Sequence, residues 1–163
     1  MRVALVHDWI TGMRGGEQCL QAFLEIYPDA HIYTMLHVPE TTTPQIDQAV
    51  RGTTWINRLP GVRKYYRCLL PLFPKAIASI EIPNQYDLVI SLSHAAAKNV
   101  RVPSSAQHIC YCFTPMRYIW DQVESYLGLM RFPAWPLIKY LRAWDLKGAE
   151  FVDQFVGISR FVA

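Results

Sequence analysis

No run of about 18 apolar residues occurs in the chain, so none of it is predicted to span a membrane. The N-terminus holds Asp8 within its first ten residues, its apolar stretch is short and no cleavage site follows, which argues against a secretory signal and makes the cytoplasm the expected location. Charge is scarce: 18% of residues, 16 Lys and Arg against 13 Asp and Glu, a net +3 that is too small to argue for nucleic acid. The four cysteines contain no Cys-x-x-Cys pair and are expected to be reduced core residues. His108, Cys110 and Cys112 would share one face of a strand, but no fourth ligand stands at a zinc-like spacing, so no metal site is expected. Also missing are G-x-G-x-x-G for a dinucleotide, G-x-x-x-x-G-K-[ST] for a nucleoside triphosphate, and any internal repeat.

What remains is a greasy globular chain of 163 residues, 52% hydrophobic and long enough for one domain with a real core. Its opening sets the plan. Arg2–His7 is short, β-branched and apolar and reads as a buried strand. A glycine-bearing turn from Asp8 to Gly16 follows. From Glu17, apolar residues at Cys19, Leu20, Phe23, Leu24 and Tyr27 form a helical stripe that stops at Pro28, and Ala30–Thr34 returns to strand character. Strand, glycine turn, helix and strand make a βαβ unit, which implies a parallel sheet with covered faces. Ligands of such sheets bind beyond the carboxyl ends of the strands. Gly15 and Gly16 at a helix N-terminus there suit a phosphate or carboxylate, the alternative being that they merely turn the chain.

Further on, residues 35–50 read as a surface loop with one short helical turn, and Gly52–Ile56 as a short strand. From Asn57 to Pro74, Arg58, Arg63, Lys64 and Arg67 interleave with Tyr65, Tyr66, Leu69, Leu70 and Phe73, and Pro60 and Pro71 bracket a predicted helix of about ten residues. Basic residues beside aromatics fit a surface against anionic lipid, snorkelling chains around a core helix, or a single-stranded nucleic-acid groove. Tyr86–Leu92 and Gln107–Cys112 are buried strands. Pro115 suits the first turn of a helix running to about Leu127. A longer helix carries Leu137, Ile138, Leu141, Trp144 and Val152, and Gln154–Ile158 is a last strand. The expected fold is Rossmann-like α/β, a parallel sheet of five or six strands flanked by helices.

Several stretches in this order resemble one family: HDW followed by GGE after the first strand, YPDAHIYT, RLPGVRKYYRCLLPLFP, YDLVISLSHAAAKNV, HICYCFTPMRYIWD and FVGISRFVA. Together they are similar to the N-terminal half of the retaining GT-B glycosyltransferases of the large group 1 family, nearest to mannosyltransferase-like enzymes of bacterial O-antigen and exopolysaccharide assembly. The resemblance implies a two-domain enzyme whose acceptor-side half is residues 1–163, with the donor-binding domain absent from the chain. It implies that Gly15 and Gly16 face the phosphates and sugar of a nucleotide sugar such as GDP-mannose. Glu17, Thr114, Arg117, Tyr118 and Asp121 belong to the same motifs, with Arg117 at the cleft rim as a partner for phosphate. Many relatives carry a histidine where this chain has Phe113, which can stack on a sugar but cannot move a proton. His94, after the neighbouring strand, is the candidate to reach the crevice in its place. Glu17 and Glu25 repeat the family's E-x7-E spacing, but in the wrong domain, and are treated as coincidence.

The expected activity is hexosyl or mannosyl transfer from a nucleotide sugar to a lipid-linked or polysaccharide acceptor, with no cofactor and no obligatory metal. Arg58, Arg63, Lys64 and Arg67 would then meet the inner face of the membrane. Two alternatives stand beside it. One is a non-catalytic interaction module or half-enzyme that self-associates or needs a partner chain; the other is a GT-B-shaped sugar-nucleotide epimerase.

Overall fold

A computed structural model describes residues 1–128, 133–160 and 162. At its centre is a six-stranded, wholly parallel sheet: β1 (Val3–Ile10), β2 (His31–His37), β3 (Val50–Thr53), β4 (Leu88–Ser93), β5 (Gln107–Cys112) and β6 (Gln154–Gly157). The strand order is β3-β2-β1-β4-β5-β6, the Rossmann order, so the expected fold class is observed. The helices are α1 (Gly15–Ile26), α2 (Pro44–Ala49), α3 (Phe73–Ile77), α4 (Val123–Leu127) and α5 (Trp135–Ala149).

β1 is buried along its whole length because both faces of the sheet are covered. Val3 and Leu5 pack with Leu20 and Leu24 of α1, while Ala4 and Val6 face Phe73, Ile77 and Ile138. Leu20 and Leu24 are fully buried, and each side chain contributes about 1.5–3 kcal/mol through the apolar surface it removes from water. Two crossovers leave the sheet centre in opposite directions. One runs from β1 through α1 to β2, and the other returns from β3 to β4 on the far side of β1. A crevice therefore opens between the carboxyl ends of β1 and β4.

Several local expectations are corrected. Asp8–Ile10 belong to β1 rather than to a turn, since Trp9 and Ile10 pair with Leu36 and His37, and His7 Nδ1 and the Asp8 carboxylate find partners inside the core. As a result α1 starts at Gly15, and both glycines lie in its first turn rather than in the loop before it. The third strand is Val50–Thr53, not Gly52–Ile56, because Thr54 leaves the ladder to donate to the Met35 carbonyl at 2.8 Å.

The predicted helix between Pro60 and Pro71 is instead a pair of 3₁₀ turns at Val62–Lys64 and Tyr66–Leu72, preceded by another at Trp55–Arg58. Gly61 at φ 65° breaks the run, and Pro71 lacks the N–H and clashes with the turn behind it. The helix expected from Pro115 is reduced to turns until α4. The carbonyl of Ile119, which would propagate it, accepts from Arg142 Nε at 2.7 Å, and Trp120 Nε1 is tied to Asp145 at 2.9 Å. α5 stops at Ala149, short of Val152, where the N–H groups of Phe151 and Val152 bond three residues back to Gly148 and Ala149.

All four cysteines are free, and Cys68 is exposed rather than in the core, because its 3₁₀ turn presents it to solvent. The FVGISRFVA stretch lies within the described residues except for Phe161 and Ala163.

Candidate functional site

The crevice holds a cavity of about 580 Å³, walled by the end of β1, the first turn of α1, the loop after β4 and the segment after β5. Each wall follows from the local fold. β1 delivers His7 and Trp9, α1 delivers Gly15, Gly16 and Glu17, and β4 ends one residue before His94. β5 ends just before Phe113 and Thr114, and the turns that replace the expected helix bring Arg117 and Tyr118 to the rim.

The strongest electrostatic feature is Asp8. Its carboxylate is wholly buried and accepts four consecutive backbone N–H groups of the loop after β4: His94 at 2.7, Ala95 at 3.0, Ala96 at 2.6 and Ala97 at 2.7 Å. Four converging amides form a nest that a phosphate could occupy; here the carboxylate of the neighbouring strand fills it. The same carboxylate lies 3.1 Å from His94 Nδ1. That contact favours a proton on Nδ1, so in the neutral ring Nε2, which has no protein partner among the described residues, is the accepting nitrogen.

His7 presents a second imidazole. Its Nδ1 donates to the Leu92 carbonyl at 3.2 Å, since a carbonyl only accepts, so Nε2 carries the lone pair. Burial, opposed by the charge of Asp8, lowers its pKa to about 4, and the ring is neutral at pH 7. Gly16 lies close against this ring: a Cβ there would stand 3.1 and 3.3 Å from His7 Cε1 and Nε2, so the ring would have to give way by a few tenths of an ångström. A Cβ on Gly15 would meet nothing within 4 Å. The first-turn amides of both glycines have no intrahelical partner.

Around the imidazoles stand aromatic rings and arginines. Trp9 meets His94 edge-on at 4.5 Å between centroids, Phe113 meets His7 edge-on at 6.4 Å, and Tyr118 packs on Tyr126 at 4.7 Å. Burial raises the pKa of the Tyr118 phenol, which stays protonated as a hydrogen-bond donor. Arg14, Arg67 and Arg117 line the rim, and Arg117 Nε donates to Thr114 Oγ1 at 3.3 Å. The one acid in the wall, Glu17, is buried and accepts the Arg14 N–H at 3.2 Å. A ligand here meets cations at the rim, proton acceptors within, and flat apolar faces for a ring to lie against.

The cavity thus gathers Gly15, Gly16, Glu17, His94, Phe113, Thr114, Arg117 and Tyr118, while Asp121 is exposed outside it. Arg67 lines the cavity, whereas Arg58, Arg63 and Lys64 are exposed elsewhere. Sequence reasoning missed His7, Asp8, Trp9 and Arg14. For Asp8 a signal existed: a carboxylate next to a buried apolar strand must find partners. His108 and Cys110 lie on one strand face as expected, but His108 Nε2 is engaged by Ser91 Oγ at 2.9 Å. No group of three or more His, Cys, Asp or Glu is placed to hold a metal ion among the described residues, and no helix among them is long and apolar enough to cross a membrane. Compared with protein-family models, with curated proteins and with solved structures, the chain finds no match.

Proposed function

We propose that this domain is the acceptor-side half of a retaining GT-B hexosyltransferase that moves a hexosyl group, mannosyl foremost, from a nucleotide sugar such as GDP-mannose to a lipid-linked or polysaccharide acceptor. The observation that carries the reading is the cavity between β1 and β4, where two imidazoles with free Nε2 atoms, aromatic rings and three arginines converge. Sugar hydroxyls need acceptors, sugar faces need apolar rings, and a diphosphate needs fixed cations; this wall offers all three.

In the proposed step the bond from the anomeric carbon to the diphosphate breaks and an acceptor hydroxyl oxygen bonds to that carbon on the face the diphosphate leaves, so the configuration is retained. The diphosphate leaves with the electron pair, and the hydroxyl proton passes to His94 Nε2. Asp8, anchored by four amides, fixes the imidazole for that role, as a buried carboxylate orients a histidine in other general-base pairs. Arg14, Arg67 and Arg117 favour the charge that develops on the diphosphate.

Saturation-transfer NMR of the protein with GDP-mannose, a hexose 1-phosphate and the free hexose tests the reading. Signal on sugar protons that disappears in His94→Ala and Arg117→Ala is the expected result. No saturation of any sugar ligand, or signal unchanged in both variants, overturns it. Exposed Arg58, Arg63 and Lys64 support peripheral attachment at an anionic membrane face. Their joint change to Glu is expected to release the protein from anionic vesicles, and unchanged binding would leave them as ordinary surface charges.

A second reading, an interaction module or half-enzyme that pairs with another chain, is favoured by β6. Phe155, Val156 and Ile158 are exposed at that sheet edge. Sedimentation that is independent of concentration, and equal in Phe155→Ser, would set self-association aside.

A further inference from the structure

A larger groove, of about 1080 Å³, lies away from the crevice, at the amino-terminal ends of β5 and β6 and between α3, the loop before β5 and the second half of α5. That volume lies just above the range of about 300–1,000 Å³ common for small-molecule sites. β5 separates its mouth from the crevice by about 20 Å, six residues of extended chain, so the two are distinct sites.

The groove is chemically two-sided. Val100, Val102, Ala78, Ala106 and Trp144 make an apolar trough, extended outward by Tyr140 and Phe151, which are 55% and 66% exposed. Lys75, Arg101 and Lys147 stand along it, and none of them takes part in an ion pair among the described residues. The one acid of the wall, Asp153, already accepts the His108 N–H at 2.7 Å. Asn99 adds an amide whose oxygen and nitrogen are both buried without a hydrogen-bond partner among the described residues. A hydrocarbon alone would leave three cations unmatched, and a free anion would leave the trough empty.

We infer that the groove binds a phosphate-headed lipid, its chain lying in the Val100–Trp144 trough and its phosphate against Lys75, Arg101 and Lys147. The charge complementarity selects an anionic head, and the exposed aromatics suit the boundary between chain and headgroup. The inference goes beyond the transfer reading and does not depend on it, since no cavity residue of the crevice is involved. It also differs from attachment through Arg58, Arg63 and Lys64, which needs only a charged surface.

Titration calorimetry with three soluble probes tests it: dodecyl phosphate below its micelle concentration, inorganic phosphate, and dodecyltrimethylammonium. Dodecyl phosphate is expected to bind at least tenfold more tightly than either of the others. Ala78→Trp, which fills the trough and keeps the charges, is expected to abolish binding. Lys75→Glu, Arg101→Glu and Lys147→Glu together, at sites that leave the core alone, are expected to weaken it at least tenfold whether or not the tryptophan variant folds. The joint Arg58, Arg63 and Lys64 change to Glu is expected to leave dodecyl phosphate binding as it was. Equal binding of inorganic phosphate would make this an anion site, and equal binding of the ammonium probe would make it a merely greasy surface. Either result, or full binding by the triple charge variant, overturns the inference.

Discussion

Replacing Asp8 by Asn changes one atom and reverses the polarity of half a nest. One carboxylate oxygen takes the amides of His94 and Ala95, the other those of Ala96 and Ala97. An asparagine keeps one oxygen, and its NH₂ group then points at two N–H donors. A buried donor left without a partner costs about 1–3 kcal/mol, so two cost roughly 2–6, and about 3 kcal/mol is expected after the loop relaxes. For a chain of this length each kcal/mol lowers Tm by about 2–4 °C, which gives a fall of roughly 6–12 °C. Asp8→Ala strands all four donors, a nominal cost of about 4–12 kcal/mol against a total stability of about 5–15, and is expected to yield little folded protein. Urea unfolding is the assay: the Asn variant should shift the midpoint with an unchanged slope. Hydrogen exchange at residues 94–97 should accelerate ahead of exchange in β1. An Asn variant within about 1 kcal/mol of the parent would mean that the loop holds itself and that Asp8 is a passenger.

Three other outcomes follow from the same neighbourhood. Gly15→Ala is expected to stabilise by about 0.5–1 kcal/mol, being helical and open, whereas Gly16→Ala should destabilise because its Cβ must push the His7 ring; a thermal melt of the two variants separates them. The His7 Cε1 proton should titrate near pH 4, and since the unfolded histidine takes its proton near 6.5, stability should fall as pH drops through that window, by roughly 3 kcal/mol at most. A His7 midpoint near 6.5 by NMR would refute the buried neutral ring. Lys98→Met strands the buried carboxylate of Asp145, which Lys98 Nζ and Trp120 Nε1 share, and should cost about 3–5 kcal/mol in urea unfolding, most of it recovered by adding Asp145→Leu.

The parts of the fold legible in sequence are those in which each strand or helix declares itself locally. The apolar run before His7, the stripe at Leu20 and Leu24, and the strands at 88–92 and 107–112 needed no distant partner to be read, although only His108 and Cys110 of the latter are buried. What escaped was set by contacts far along the chain. His7-Asp8-Trp9 looks like the end of a strand because two polar residues interrupt it. They stay in the strand because Leu92 and the loop at 94–97 satisfy them. Residues 115–122 have helical composition, yet Arg142 takes the carbonyl on which continuation depends. Residues 55–72 have apolar positions three and four apart, a spacing that successive 3₁₀ turns satisfy as well as a helix does. For the site, the glycines, His94, Phe113 and the Thr114–Tyr118 stretch stood at strand ends where ligands bind. Arg14 and Arg67 carry no such mark, and only the topology brings them to one cavity.

The central position of β1 also sets a timetable for synthesis. β1 leaves the ribosome ahead of its partners and finds β2 soon, but its other edge, with the carboxylate of Asp8 beside it, must wait for residues 88–97. At about 5–20 residues per second that interval is roughly 4–16 s. During it, an apolar strand stands with one side unpaired and a charge without its amides. The nascent chain is therefore most vulnerable to aggregation before residue 97 emerges. A ribosome stalled between residues 60 and 90 should expose a half-sheet that trigger-type chaperones hold, and one stalled well past residue 97 should not.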